Sequence, residues 1–142
     1  MDQQQYTNSF GKVYLTVQYD PANQWLYNDW QGLLSTDTVV QGCEGVLRAL
    51  EATNCAYILN DNRGVIGSWN QANDWIEQHW MPQALAAGLT RFAHVVAPGI
   101  FGQSSAEAMH QRVGTRFEMC LFQDIEAARN WLLLARKNAE PA

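Results

Sequence analysis

The chain has 142 residues and a net charge of −5, and 47% of it is hydrophobic against 16% charged. That is enough chain for one domain with a substantial core, and it is too apolar for a disordered one. The nine basic residues are scattered rather than gathered into a phosphate-tracking stripe, which argues against nucleic acid, and no apolar run is long enough to span a bilayer.

Residues 1–9 read as an N-terminal tail, 10–137 as a single domain and 138–142 as a C-terminal tail. Val13, Leu15, Val17 and Tyr19 alternate with polar neighbours, the period of a strand with one buried face. Asp20-Pro21-Ala22-Asn23 is a turn, and the aromatic-rich run 25–30 is a second strand that pairs antiparallel with the first. Ser35 or Thr36 caps a helix that places Val39, Cys43, Val46, Leu47 and Leu50 on one face. Gly42 and Gly45 inside it signal either close packing on the sheet or a weak helix. The apolar run 56–60 has the character of a central strand covered on both faces, and it stops at the polar loop Asn60-Asp61-Asn62-Arg63-Gly64.

From residue 68 or 69 to about 87 the pattern is helical, with Pro82 imposing a kink or two abutting helices near Trp80-Met81, and Gly88 closing it. Residues 92–97 form a strand ended by Pro98-Gly99. Ser104-Ser105-Ala106-Glu107 has the form of a capping box opening a short helix to Val113. The last strand is 117–122, and Asp124 opens a final helix striped by Ile125, Ala128, Trp131, Leu132 and Ala135. The three cysteines, Cys43, Cys55 and Cys120, fall in apolar periodic segments without metal-ligand spacing and read as reduced core residues. With an N-terminus that lacks the basic start and apolar stretch of a signal peptide, a cytoplasmic protein is expected.

This order, with the phrases Tyr57-Ile58-Leu59-Asn60-Asp61-Asn62-Arg63, Trp80-Met81-Pro82, Ala87-Gly88-Leu89-Thr90-Arg91-Phe92-Ala93 and the run 122–132, resembles the SpoIIAA-like superfamily. More narrowly, it is similar to small bacterial STAS/SEC14-type proteins. The resemblance implies an α/β fold with a mixed, mostly parallel five-stranded sheet and helices packed on it, in the order ββαβαβαβα. It also implies a non-enzymatic module acting through protein or ligand contacts. The anti-sigma-factor antagonists of this superfamily carry a phosphorylatable serine in an Asp-Ser-Ser/Thr-Gly motif just after the third strand, at the start of the next helix. The counterpart here is Gly67-Ser68-Trp69, without the preceding acid or the following glycine.

In open α/β sheets ligands gather at the carboxyl ends of strands, so Asp61, Asn62, Arg63, Ser68 and Trp69 form the candidate ligand or partner loop. Either Asp61 caps a turn and Arg63 answers a surface carboxylate, or the two pair or meet an anionic ligand as the loop folds back. Ser68 is either a helix cap or a phosphoacceptor. Ile100 and Phe101, between Gly99 and Gly102, either cover a pocket beside that loop or plug the end of the core. Trp69 and Trp80 share a helical face and belong to the core, whereas Trp75 points away from that stripe and is the candidate interface of a homodimer. His79, His94 and His110 lack the short spacing of a metal site, and His94 reads as a hydrogen-bonded core or edge residue. No metal and no cofactor are expected, and no nucleophile-base pair or phosphate loop marks an enzyme. The leading expectation is a regulatory or protein-interaction module, and the alternative is a carrier or sensor of a small apolar or amphipathic ligand.

Overall fold

The computed structural model describes residues 3–139, so residues 1–2 of the expected N-terminal tail and 140–142 of the C-terminal one lie outside the described residues. One sheet organises the chain, built from strands β1 (Gln4–Thr7), β2 (Val13–Asp20), β3 (Trp25–Leu33), β4 (Tyr57–Ile66), β5 (Arg91–Val95) and β6 (Glu118–Phe122). They lie side by side in sequence order; β1, β2 and β3 are antiparallel neighbours, and β3 to β6 are parallel. The α/β class is as expected. The sheet has six strands rather than five, and the extra one is β1, within the stretch read as tail.

Helices α1 (Thr36–Thr53), α2 (Asn73–Trp75), α3 (Met81–Ala86) and α4 (Ile100–Val113) connect the parallel strands, and α5 (Ile125–Ala139) follows β6. A sheet that grows one strand at a time through crossovers of one hand places every crossover on the same face. The core follows that rule. Leu15, Leu26, Ile58, Phe92 and Met119 share one apolar cluster with residues of α1, α3 and α4, while Trp25, Leu59, Ala93 and Val95 meet Ala128 and Leu132 of α5 on the other face.

The close-packing reading of the α1 glycines holds. A Cβ on Gly42 would stand 2.5 Å from the Trp30 ring, and one on Gly45 would overlap the ring of Tyr6. Ser35 caps α1, its hydroxyl accepting from the Thr38 amide and the Thr38 side chain accepting in return from the Ser35 amide.

Between α2 and α3 the chain widens into a π-helical turn, Ile76–Trp80, in which the Met81 amide reaches back to the Ile76 carbonyl. Pro82 follows directly and has no amide to continue an ordinary ladder, so the expected interruption near Trp80-Met81 takes this form.

Two boundaries differ most from the sequence reading. Strand β4 runs on to Ile66, so Asn60, Asp61, Asn62 and Arg63 belong to a strand rather than to a loop. Their polar side chains are satisfied inside the sheet, which removes the reason to end it. One extra residue enters β4 between the pairs Asp29–Asp61 and Gln31–Gly64, a bulge that reverses the alternation so that Val65 turns to the same side as Ile58. Helix α4 begins at Ile100, before the expected capping box, with Gly99 at φ 95° leading into it. Gly102 can lie against the Ala97 backbone, where a Cβ would come within 2.5 Å of the Ala97 carbonyl oxygen, and Ser105 is drawn inward to other partners.

Candidate functional site

The bulged strand divides the candidate residues between the faces of the sheet. Asp61 lies on the α5 side, buried, with its carboxylate taking two side-chain bonds from Arg63 at 2.9 and 2.7 Å and one from the Tyr27 hydroxyl at 2.6 Å. The Arg63 amide donates to it as well, at 3.0 Å. Burial by itself would raise the Asp61 carboxyl, but the bonds from Arg63 and Tyr27 outweigh it and hold the group below the ordinary carboxylate range. Burial, and then the bond to Asp61, push the Tyr27 phenol up against a weaker opposing pull from Arg63. Every charge in this cluster is answered from within.

Asn62 and Trp69 face the opposite way, into a cavity of about 70 Å³ between the sheet and the helices of the larger cluster. Its walls come from every layer of that side: Trp30 from β3, Val39 and Cys43 from α1, Ile76 and Trp80 from the π turn, Met109 from α4 and Met119 from β6. No acidic side chain, lysine or arginine lines it. Burial pushes the Cys43 thiol up to about 12, so this cysteine stays protonated and is not a nucleophile.

Within this apolar chamber lies a small polar cluster. Leu26, Asn28 and Trp30 alternate on β3, Ile58, Asn60 and Asn62 on β4, and Phe92 and His94 on β5, so three neighbouring strands each bring at least one Asn or His side chain to the buried face. Asn60 is its hub. The Trp30 indole, which can only donate, gives its N–H to Asn60 Oδ1 at 2.9 Å and thereby fixes which way the amide points. Asn28 Nδ2 reaches the same oxygen at 3.5 Å. Asn60 Nδ2 then faces Asn62 Oδ1 at 3.2 Å and His94 Nδ1 at 3.1 Å.

The hub satisfies itself but not its neighbours. Asn28 Oδ1, Trp69 Nε1 and His94 Nε2 are buried without a hydrogen-bond partner, in residues only 1%, 6% and 2% exposed. Buried polar atoms are nearly always paired, so three orphans around one cavity are a strong local signal. Burial brings the His94 imidazole down to about 4, against a weaker opposing pull from Asp61, and the ring is neutral near pH 7.

The remaining candidates lie elsewhere. Ser68 is half-buried; its hydroxyl accepts from the Asn70 amide and meets the Ser105 hydroxyl, each at 3.2 Å, so it caps the turn leading to α2. Ile100 and Phe101 are 79% and 60% exposed and flank an open groove with Arg63, Ile66, Gly67 and Pro98, outside the cavity. Trp75 is half-buried against the larger cluster, its ring 6.1 Å from that of His79.

Of the candidate site residues named from the sequence, then, only Asn62 and Trp69 line the cavity. Asn28, Asn60 and His94 were missed, although a polar residue at an inward position in each of three strands is visible in the alternation. Among the described residues no three His, Cys, Asp or Glu side chains gather as a metal site, and no helix is long and apolar enough to cross a membrane. No protein-family model matches the chain, and no curated protein is detectably similar to it.

Proposed function

We propose that the protein binds a small, largely apolar ligand in the internal cavity and acts as its carrier or sensor, without catalytic activity of its own. The observation that carries this reading is the set of orphaned polar atoms on Asn28, Trp69 and His94 around an otherwise apolar chamber. Such atoms cost stability unless something pairs with them. Pockets built this way, mostly apolar with a few convergent polar groups, are the usual form of a small-molecule site. Membership in the SpoIIAA-like superfamily is part of the same proposal, on its ligand-binding side and with a cytoplasmic location.

The walls favour an adaptable site. Met81, Met109 and Met119 all line the cavity, and methionine, with its unbranched side chain, repacks around objects of different shape. Solvent extraction of protein purified from its own source, followed by mass spectrometry, is expected to release a small molecule. Met109→Trp, which fills the cavity, should abolish it. Wild-type protein that releases nothing, and whose Tm no compound in a broad small-molecule library raises, rejects the reading.

A second reading, an interaction module that pairs with a second copy of this chain, is favoured by exposed Leu33, Ile66, Ile100 and Phe101 near the carboxyl ends of β3 and β4. Exposed apolar side chains grouped in this way mark contact surfaces more often than isolated ones do.

A further inference from the structure

We propose that the ligand of this cavity is an uncharged alcohol or phenol, whose hydroxyl accepts hydrogen bonds from His94 and Trp69 and donates one to Asn28. The inference rests on the binding reading above and specifies its chemistry.

The argument runs through the hydrogen-bond valences. Trp30 can only donate, so Asn60 Oδ1 faces it and Asn60 Nδ2 faces His94 Nδ1. A nitrogen that receives an N–H cannot carry its own proton, so the neutral imidazole holds its proton on Nε2. The unpartnered Nε2 of His94 is therefore a donor. The unpartnered Nε1 of Trp69 is a donor by its chemistry, and the two rings lie 6.1 Å apart between centroids. Asn28 presents the opposite character. Its Nδ2 already points at Asn60 Oδ1, which leaves its Oδ1 as an acceptor without a donor.

The cavity thus offers two donors and one acceptor. A hydroxyl group takes two hydrogen bonds and gives one, which matches that inventory with a single oxygen. A carboxylate or phosphate would leave Asn28 unanswered and would be buried with no cation on the walls. An ammonium would face two donors. An ether or hydrocarbon leaves one or all of the orphan atoms unpaired.

Size narrows the class to compact molecules. The chamber, at about 70 Å³, is smaller than the engineered cavity of about 150 Å³ that takes benzene, so an aromatic ring requires the methionine walls to yield.

Titration of the full chain at pH 7 with isobutanol, phenol, toluene, benzoate and benzylammonium, followed by the fluorescence of the cavity tryptophans and by Tm, tests this. At least one alcohol should bind, phenol should bind about three- to tenfold more tightly than toluene, and neither ion should bind. In Trp69→Phe the phenol-to-toluene preference should shrink by a similar factor. Nitrogen NMR of His94 should show the Nε2–H tautomer throughout. Toluene binding as tightly as phenol, preferential binding of either ion, or an Nδ1–H tautomer overturns this inference while leaving the cavity a binding site. No binding by any of the five overturns it together with the binding reading, the chamber then holding water alone.

Discussion

His94 is a base that the fold keeps from acquiring a proton. Its pKa, about 4 in the folded chain against an ordinary 6.5, means that the unfolded chain binds more protons between those values. Stability therefore rises with pH across that window: it is lost as pH falls from 6.5 towards 4, with a total of order 3 kcal/mol. Urea denaturation at several pH values should show this slope, and His94→Gln should flatten it. Wild type with the same midpoint at pH 4.5 and 6.5 contradicts the burial of a neutral ring. The Asp61 cluster acts in a different range, since a carboxyl held below its ordinary value contributes stability above about pH 4 and loses it as pH falls further. Leu59, on the α5 side, is 1% exposed between Trp25, Ala93 and Leu132. Leu59→Ala should cost roughly 2–5 kcal/mol in chemical denaturation, and an unchanged midpoint would remove β4 from the core.

At the scale of elements, the edge strand β1 is held to the body partly by Tyr6, whose ring occupies the space left by the missing side chain of Gly45 in α1. A methyl group there cannot coexist with the ring. Gly45→Ala should therefore free the amides of Gln4–Thr7 to hydrogen exchange while β4 and β5 stay protected, and uniform protection would place the adjustment in α1 instead. This contact also shows what was legible in advance. The glycines signalled either close packing or a weak helix, and the partner that decides it at Gly45, Tyr6, lies in a stretch with too short a pattern to read as a strand. Strand β2 and helices α1 and α5 followed their periodicity because each has one wet and one dry face, while β3, β5 and β6 were marked by their aromatic or apolar runs. Strand β4 read as stopping early, since Asn60, Asp61 and Asn62 are buried and find partners on neighbouring strands as well as within β4, so the usual link between polarity and loops fails there. Most of the site was missed because each inward polar residue is visible in its own strand, whereas their convergence shows only once three strands are set side by side. The π turn was half visible, since Pro82 requires an interruption but does not specify its form.

For the molecule as a whole, low charge content, six tryptophans and a proline-broken helix suggested self-association near Trp75. Besides Phe10, the large apolar side chains left most exposed among the described residues are instead Leu33, Ile66, Ile100 and Phe101, with Trp75 half-buried. Sedimentation at several concentrations should reveal a dimer in the micromolar range, weakened more by Phe101→Ser than by Trp75→Ala, which should chiefly lower stability. A monomer at high micromolar concentration rejects the assembly altogether. The sheet itself imposes a timetable on synthesis. Because each strand pairs with the one before it, a chain emerging from the ribosome can add strands in the order in which they appear and cover one face with each crossover helix as it goes. The opposite face has no such cover until Ile125–Ala139 has emerged, so Trp25, Leu59 and Val95 each stand open to water or to chaperones from their own emergence until then.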